Sequence, residues 1–370
     1  MKENKARVIA FYLPQYHPIP ENDKYWGKGF TEWTNVAKAK PLFRGHYQPH
    51  IPADLGFYDL RLPEVREAQA ELARDAGIEG FCYYHYWFGN GKMLLQKPFE
   101  EVLRLGKPDF PFCLCWANHD WTTKTWVKGS SMVNNTMIAQ QEYLGEQDDI
   151  KHFEYCLRAF KDHRYITIEG KPIFLIYDPL SFPNVKEFMN RWNFLAKKNN
   201  LKGIYFIGVT TGRQSSYKIV TNLGFDGVCH NRRWEAEAKA AGFRFVRRMQ
   251  SLLGWHLGIS LMKYDYNKVV RNYDTPENKL ENCYPVITPG FDRTPRAGRR
   301  AGIYVNSSPK NFKKHVAEVC KSIQDKDDDH RLVFLSAWNE WGEGNYMQPD
   351  FKWGHGYLEA LKSVVKFHIK

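Results

Sequence analysis

The sequence predicts an α/β fold, a closed (β/α)8 barrel of the TIM type. Eight short runs of β-branched and aromatic residues recur along the 370 residues, and amphipathic stretches with apolar residues at three-to-four spacing separate them. Continuously apolar strands that alternate with helices form a parallel sheet buried on both faces, and eight such units favour a barrel over an open doubly wound sheet. The length and the lack of a long Ser/Gly/Pro linker predict a single domain over residues 1–370.

The elements follow in order along the chain. The predicted strands are Val8–Leu13, Ile78–Tyr84, Phe112–Trp116, Ile173–Tyr177, Ile204–Val209, Gly227–Cys229, Tyr284–Thr288 and Leu332–Ala337. The predicted helices are Pro63–Ala76, Lys151–Asp162, Val185–Lys198, Asn311–Gln324 and Leu358–Phe367. Two connections that follow strands, at about 14–62 and 230–282, are too long for simple turns. Since long loops build or cover sites, both are expected at the catalytic face of the barrel.

Composition and charge narrow the partners and the compartment. The formal net charge is +12, and the surplus is concentrated in 232–271 and at Arg293, Arg296, Arg299 and Arg300. An anionic glycan, a nucleotide sugar or an anionic membrane fits this charge. No nucleic acid partner is expected, because no recognition helix, zinc finger or RNA-binding signature accompanies it. Seven scattered cysteines in apolar runs, and a polar start followed by only a short apolar run, predict a reduced, cytoplasmic protein.

Two interpretations fit the basic span Phe243–Arg271, which joins apolar side chains to arginines. In the first, the span is a lid over the site, and its apolar face packs on the barrel. In the second, it lies in the interface of an anionic membrane. The second interpretation would place the protein peripherally at the inner membrane face and would suit a lipid-linked substrate.

The segment Ser336–Gly344 carries two carboxylates three residues apart, directly after the last predicted strand. Catalytic groups of a (β/α)8 barrel lie at the C-terminal ends of its strands. Paired carboxyl groups are the usual machinery for cleaving glycosidic bonds. One donates a proton to the leaving oxygen, and the other, ionised, supplies the negative charge that the reaction needs on the other side of the bond. We therefore predict that Glu340 and Glu343 are catalytic. The alternative is a solvated loop whose glutamates pair with the many arginines.

Aromatic and polar side chains follow several predicted strands and are expected on the same rim. Sugars stack their C–H faces on aromatic rings and need fixed hydrogen-bonding groups for their hydroxyls. Half of the side chains of a strand face the core, so Tyr83 and Trp116 also suit packing. The predicted substrate-binding residues are Tyr16, His17, Trp33, His85, Tyr86, Trp87, Trp116, Asn118, His119, Asp120, Trp121, Trp338, Asn339 and Trp341.

Neither a metal nor a cofactor is expected. The residues His17, His85, His119 and Asp120 do not have the spacing of a compact zinc motif. The run Asp327–Asp329 has the look of a metal-binding acidic cluster, but it precedes the last strand and so belongs to the opposite rim. The sequence has no glycine-rich phosphate loop of the Rossmann or Walker type.

Five ordered motifs span nearly the whole chain: Ile9–His17, Gly29–Trp33, Tyr84–Phe88, Trp116–Thr122 and Trp338–Gly344. Together they resemble the WbsX-type proteins of bacterial polysaccharide loci, which are similar to the endo-α-mannosidases of glycoside hydrolase family 99. The resemblance implies a (β/α)8 barrel and a retaining mechanism in which the substrate's own 2-hydroxyl is the nucleophile and a 1,2-anhydro sugar forms. It also implies that the first glutamate of the last motif deprotonates the 2-hydroxyl, and that the second is the general acid and then the base.

The leading hypothesis is a retaining glycoside hydrolase or transglycosylase that acts on α-linked, mannose-like residues of a bacterial surface polysaccharide. The alternative is a glycosyltransferase of lipopolysaccharide or capsule biosynthesis, as WbsX-type proteins are often described. A third hypothesis, a carbohydrate-binding protein on a barrel scaffold, is disfavoured by the intact pair of Glu340 and Glu343. In each case the expected partner is an oligosaccharide or polysaccharide.

Overall fold

Eight parallel strands close into a barrel in the computed structural model, which describes residues 6–123, 136–212, 214–241 and 262–365, together with 249, 252 and 253. The strands are β1 (Arg7–Tyr12), β2 (Ile78–Trp87), β3 (Phe112–Trp116), β4 (Lys171–Ile176), β5 (Tyr205–Val209), β6 (Gly227–His230), β7 (Cys283–Ile287) and β8 (Leu332–Leu335). Each strand pairs with the next in chain order, and β1 pairs with both β2 and β8. The predicted (β/α)8 TIM barrel is confirmed, with all eight strands at their predicted places.

Helices separate the strands and cover the barrel. Within the described residues they are α1 (Pro20–Trp26), α2 (Glu32–Lys38), α3 (Pro63–Ala76), α4 (Lys97–Leu105), α5 (Glu146–Phe160), α6 (Val185–Lys198), α7 (Tyr217–Asn222), α8 (Arg233–Ala240), α9 (Tyr266–Val270), α10 (Thr294–Ala297), α11 (Pro309–Ser322) and α12 (Gly356–Lys362). The helices α3 and α6 have the predicted bounds, and α5, α11 and α12 have shifted ends. The last two residues of the predicted final helix, 366 and 367, lie outside the described residues, as do 368–370.

The ends of α3 show why a helix forms there. Pro63 occupies its first turn, where a missing N–H costs nothing, and Gly77 follows its last residue with a φ of +95°. Its buried alanines, Ala70, Ala73 and Ala76, recur at three-residue spacing and let the helix pack closely on the barrel.

The core lies between the strands and the helices. Trp192 of α6 is fully buried there and contacts Phe174 of β4 at 4.8 Å between ring centroids and Phe188 at 4.6 Å. All seven cysteines are free and buried, as the sequence predicts for core residues: Cys82, Cys113, Cys115, Cys156, Cys229, Cys283 and Cys320.

The two long connections contain short elements. The first includes α1 and α2, and the second includes α8 and α9. Most of Phe243–Arg271 lies outside the described residues, so its role as a lid or a membrane contact stays a prediction. No helix among the described residues is long and apolar enough to cross a membrane.

The acidic run Asp327–Asp329 lies on the N-terminal rim, as the sequence predicts. Arg7, the first residue of β1, donates from Nη1 to Asp329 O at 2.9 Å, and Asp329 Oδ2 accepts from Glu169 N at 3.0 Å. This cluster therefore lies at the opposite end of the barrel from Ser336–Gly344.

Candidate active site

The loop after β8 is fixed to the end of β1, which holds both predicted catalytic glutamates at the C-terminal mouth of the barrel. The side-chain amide of Asn339 accepts from Leu13 N at 2.8 Å and donates to Leu13 O at 2.9 Å. The Tyr16 hydroxyl donates to Asn339 O and accepts from Trp341 N at 3.2 Å. These bonds tie the first motif of the sequence to the last.

Two glycines shape the loop, which folds back on itself as a short antiparallel pair. Gly344 has a φ of +56°, a left-handed conformation that glycine adopts without a steric cost. At Gly342, a Cβ atom would overlap Oε2 of Glu32 and would lie 2.9 Å from Nε of Arg296. The absence of a side chain at Gly342 therefore leaves room for the buried ion pair of Glu32 and Arg296 behind the loop.

Arg296 joins three carboxylates. Its Nη2 donates to Oε2 of Glu340 at 2.8 Å and to Oε1 of Glu32 at 2.5 Å, while its Nη1 lies 2.8 Å from Oε1 of Glu343. The side chains are mostly withdrawn from solvent: Arg296 is 8% exposed, Glu32 0%, Glu340 13% and Glu343 17%. The alternative of a solvated loop is therefore wrong, although the glutamates do pair with arginines.

Glu343 receives two further guanidinium groups. Nε of Arg293 lies 3.4 Å from its Oε1, and Nη1 of Arg233 lies 3.8 Å from its Oε2. Arg233 begins α8 after β6, and Arg293 precedes α10 after β7, so both come from the C-terminal face of the barrel. Three guanidiniums thus surround Glu343, whereas Glu340 contacts Arg296 alone among the ion pairs of the described residues.

This asymmetry separates the acidities of the two glutamates. Burial raises the pKa of Glu340 to about 7, with Arg296 opposing the shift and the negative charges of Glu343 and Glu32 adding to it. Burial also disfavours the ionised form of Glu343, but Arg296, Arg233 and Arg293 outweigh it and hold its pKa below the ordinary value. At neutral pH in the substrate-free site, Glu343 is therefore ionised, and Glu340 is close to the midpoint of its titration.

Aromatic side chains line the mouth beside this pair. The partly exposed Tyr84, Tyr86 and Tyr177 all have raised pKa values, chiefly through burial and with a contribution from the charge of Glu340. Trp121 stacks on Tyr86 at 5.6 Å, and the exposed His119 lies 5.6 Å from the ring of Tyr177. Of the predicted sugar-binding residues, the structure thus brings Tyr86 and His119 to the mouth, and Trp121 is buried in an apolar cluster and stacks on Tyr86.

Three other predicted ligands, His85, Trp87 and Trp116, lie between the barrel and its helices, and their assignment to the sugar site is corrected to packing. His85 Nε2 is hydrogen-bonded to His152 Nε2 at 2.8 Å, and Trp87 Nε1 donates to Asp148 Oδ2 at 3.1 Å. Trp116 Nε1 donates to Trp87 O at 2.9 Å. The physical reason is the two-residue period of a strand, which turns these side chains away from the mouth that their neighbours in sequence face.

The predicted ligands Trp33, Trp338 and Trp341 are also buried and are corrected to a supporting role. Trp33 Nε1 donates to Tyr58 O at 2.9 Å, and Trp341 Nε1 donates to Gln348 Oε1 at 2.6 Å. Trp338 has no exposed surface and packs against a phenylalanine of β2. The satisfied indole donors of Trp33 and Trp341, and the burial of all three side chains, fit a rigid base for the loop better than contact with a sugar.

The remaining predicted ligands fix backbone. Tyr16 and Asn339 hold the loop after β8 to the end of β1. His17 is buried and bonds a backbone carbonyl at 3.0 Å, and burial lowers its pKa to about 4. Asn118 is buried and exchanges two hydrogen bonds with the backbone after β4, at 2.7 and 2.8 Å. Asp120 is exposed and accepts a backbone N–H at 2.8 Å, so it lies on the surface near the mouth.

Sequence reasoning missed the ionic partners of the glutamates. Glu32 lies inside one of the five motifs but is not among the residues that the sequence predicts for the site. Arg293 and Arg296 were counted with the surplus charge that suggested an acidic partner, and the structure instead pairs both with Glu343. One feature of the sequence could have indicated these ion pairs. The arginines follow strand β7 and the glutamates follow the neighbouring strand β8, so both groups lie at the same end of the barrel.

One group among the described residues could hold a metal ion. The ligand atoms of His85, His152 and Cys156 lie within 4.8 Å of one another, all of them buried. The group differs from the set of histidines considered in the sequence, and its two imidazoles are already hydrogen-bonded to each other. It lies in the helix layer, away from the carboxylate pair.

A closed (β/α)8 barrel with paired carboxylates at its C-terminal mouth is the architecture of a carbohydrate-active enzyme. The chain belongs to the WbsX glycosyltransferase family, because the family described as "Glycosyltransferase WbsX" matches residues 8–361. It is 34% identical over 361 residues to proteins described as "Uncharacterized protein WxcX" from two strains of Xanthomonas campestris pv. campestris. The match covers 97% of this chain and 50% of those proteins, so the chain spans about half the length of these relatives.

Solved structures show the same fold. A "glycoside hydrolase-like protein" matches with a TM-score of 0.61 at 15% identity, over 100% of this chain and 96% of that one. A GH99 endo-alpha-mannosidase from Bacteroides thetaiotaomicron, in complex with BIS-TRIS-propane, matches with a TM-score of 0.56 at 15% identity, over 99% and 97% of the two chains. A second structure of that enzyme gives a TM-score of 0.53 at 16% identity, over 99% and 96%.

Proposed function

We propose that the chain is a retaining glycoside hydrolase or transglycosylase that acts on α-linked, mannose-like residues of a bacterial surface polysaccharide. The observation that carries the proposal is the pair of buried carboxylates, Glu340 and Glu343, that share Arg296 at the mouth of the barrel. Their different acidities supply a carboxyl and a carboxylate together, which glycosidic bond cleavage needs. The barrel fold shared with an endo-alpha-mannosidase supports the choice of sugar.

The proposed chemistry needs no protein nucleophile. One glutamate takes the proton of the 2-hydroxyl as O2 attacks C1, while the other gives a proton to the leaving oxygen as its bond to C1 breaks. A 1,2-anhydro sugar results. The glutamate that gave its proton then deprotonates an incoming water or sugar hydroxyl, which opens the ring at C1, and the first glutamate returns its proton to O2.

The family resemblance assigns the base to Glu340 and the acid to Glu343, and we propose these roles. In the substrate-free site Glu343 has the lowered pKa, so a bound substrate has to weaken its ion pairs before it can donate a proton. The guanidiniums at 3.4 and 3.8 Å, those of Arg293 and Arg233, are the ones that substrate can displace most readily. In the opposite assignment, Glu340 is the acid and Glu343 the base, which agrees with their protonation in the substrate-free site. The pH dependence of the reaction separates the two assignments.

The test is turnover on oligosaccharides of two to four α-linked mannose residues, followed by mass spectrometry of the products. We expect cleavage or transfer with retained anomeric configuration by the wild type. Neither Glu340→Gln nor Glu343→Gln should turn over these unactivated substrates. The control is Glu187→Gln on α6, because Glu187 is exposed and lies outside the site. A wild type inactive on this series, or two glutamine variants as active as the control, would contradict the proposal.

The three arginines around Glu343 favour one second candidate, glycosyl transfer from a donor whose leaving group departs as an anion. Such a leaving group needs no proton, and guanidiniums stabilise a phosphate by bidentate hydrogen bonds. The test is calorimetry with a panel of nucleotide sugars. Binding to the wild type that is lost in Arg293→Met would favour the transferase, whereas a panel without binding would leave the hydrolase or transglycosylase.

A further inference from the structure

A cavity of about 710 Å³ lies beside the carboxylate pair and does not include either glutamate. We call it the side cavity. Its walls come from residues 43–50 of the first long loop, 289–292 after β7, 303–311, 344–346 of the catalytic loop, and 352–357. Its volume falls within the range of small-molecule binding sites in proteins, roughly 300–1,000 Å³.

The side cavity and the active site share a wall one loop thick. Asp292 N donates to Glu343 O at 2.6 Å, so the loop after β7 is hydrogen-bonded to the catalytic loop. A Cβ atom on Gly344 would lie 2.8 Å from Asp292 Cβ, and one on Gly290 would lie 3.4 Å from Gly344 O. These backbones are therefore in close contact, and an occupant of the cavity lies next to the turn that carries Glu343.

The polar wall of the side cavity is preorganised. Asp292 accepts from His46 Nε2 and Gln48 Nε2, both at 2.7 Å, and from Thr294. His46 Nδ1 accepts from Leu42 N at 3.0 Å, which leaves Nε2 to donate to Asp292. These donors satisfy the carboxylate, and its pKa is lowered because the hydrogen bonds, together with the charge of His50, outweigh its burial.

The other groups in the cavity are those that recognise a sugar. Tyr47 and Trp353 contribute aromatic rings to the walls, and the Lys352 ammonium lies 4.8 Å from the centroid of each ring. Asn306, Asn311 and Ser307 add amide and hydroxyl groups. Fixed amides and hydroxyls beside aromatic faces suit a ring with hydroxyl edges and apolar faces. They suit an aliphatic ligand poorly, since its burial would leave these polar groups without partners.

We propose that the side cavity binds a sugar residue of the polysaccharide substrate that lies away from the bond being cleaved. This inference rests on the proposed function, because the ligand of the cavity belongs to the same glycan. The enzyme would then hold its substrate at two places, one on each side of the turn between Gly342 and Gly344. Short substrates would lose the second contact.

The test follows Trp353 by fluorine NMR in protein labelled with 5-fluorotryptophan, in the Glu343→Gln background. The Trp353 resonance is assigned by its disappearance in Trp353→Phe, and α-mannotetraose is then titrated. We expect the Trp353 signal to shift on saturation, and we expect calorimetry to show about tenfold weaker binding for Trp353→Ala, a factor equivalent to about 1.4 kcal/mol. The matched control is Phe351→Ala, an aromatic residue of the same segment that is 74% exposed and lies outside the cavity walls.

Each outcome decides the proposal. The proposal is supported if the Trp353 signal shifts, binding is weaker in Trp353→Ala, and binding is unchanged in Phe351→Ala. These results would support sugar binding in the side cavity even if the wild type shows no turnover. Absent turnover would then count against the proposed function alone. Binding that leaves the Trp353 signal in place overturns the side-cavity proposal, as does an absence of binding. Thermal unfolding of Trp353→Ala and Trp353→Phe shows whether lost affinity reflects lost folding, and Trp353→Phe should retain binding.

Discussion

Replacing Glu340 with glutamine should make the folded protein more stable at alkaline pH. Burial raises the pKa of Glu340 from the ordinary 4.5 to about 7, so the folded state binds the proton more tightly than the unfolded state does. As the pH rises from 4.5, the unfolded state ionises first, and the wild type loses stability until the pH passes about 7. Glutamine mimics the protonated carboxyl and does not incur this loss.

The magnitude follows from the shift. At about 1.4 kcal/mol per pH unit, the change from 4.5 to about 7 corresponds to an upper value of about 3 kcal/mol at pH 8. Between pH 5.5 and pH 8, the stability advantage of Glu340→Gln should widen by about 2 kcal/mol. The assay is urea unfolding at the two pH values, monitored by tryptophan fluorescence.

The matched comparison is Glu343→Gln, for which the sign is opposite. Since arginines hold the pKa of Glu343 below its ordinary value, its ionised form stabilises the fold above that value, and this contribution is lost as the pH falls. Glu343→Gln should therefore be less stable than the wild type at pH 8. If both variants lose stability at pH 8, or if the advantage of Glu340→Gln is the same at both pH values, the electrostatic account of the pair is wrong.

Other predictions address the reaction and the ion cluster. With Glu340 as the base, kcat/KM should rise with pH through about 7 in a pH-rate profile; a fall through about 7 would exchange the roles of Glu340 and Glu343. Glu343→Gln should regain activity on aryl glycosides whose leaving group needs no protonation, as measured by release of the phenol, and equal loss on all substrates would refute its role as the acid. A 2-deoxy substrate should not react, and its efficient cleavage would exclude participation of the 2-hydroxyl. Arg296→Met should lower the free energy of unfolding by about 3–5 kcal/mol, because three buried carboxylates lose their shared cation. Urea unfolding that shows a loss below about 1 kcal/mol would contradict the central place of Arg296 in the cluster.

The barrel was predictable from the sequence because each strand carries its own signal. A strand buried on both faces is apolar along its whole length, so Ile173–Tyr177 and Ile204–Val209 stand out in the sequence from the helices around them. The short helices α1 and α2 were not predicted. They lie in the first long loop, and neither shows a long amphipathic pattern. Contacts with the loop after β8, such as that of Trp33 with Trp341, hold α2 in place.

The two catalytic candidates were predictable, but most of the proposed sugar contacts were not. Aromatic residues on a strand alternate between the mouth and the helix layer, and the sequence does not say which of two neighbours faces which way. Tyr86 therefore lies at the mouth, while His85 and Trp87 lie in the core. A tryptophan next in sequence to a candidate catalytic carboxylate, such as Trp341, can equally support the loop from the core.

The ion cluster was beyond the reach of the sequence for another reason. Glu32 and Arg296 are 264 residues apart, and nothing local to either residue indicates that they meet. Only the closure of the barrel brings the loops after β1, β7 and β8 to one place. The sequence suggests that the arginines face an acidic partner. In the structure Arg293 and Arg296 instead neutralise carboxylates of the protein itself.

A substitution at Gly342 would perturb the cluster of Arg296 and its carboxylates without removing a charge. Because a Cβ atom at this position would overlap the carboxylate of Glu32, Gly342→Ala inserts a single uncharged methyl group between partners that remain chemically intact. Conventional charge deletions change the number of charges and the protonation equilibria at once. The added methyl group leaves the number of ionisable groups unchanged and forces Glu32 and Arg296 to move, so the pKa values of Glu340 and Glu343 in Gly342→Ala would report how their acidity depends on the geometry of the cluster.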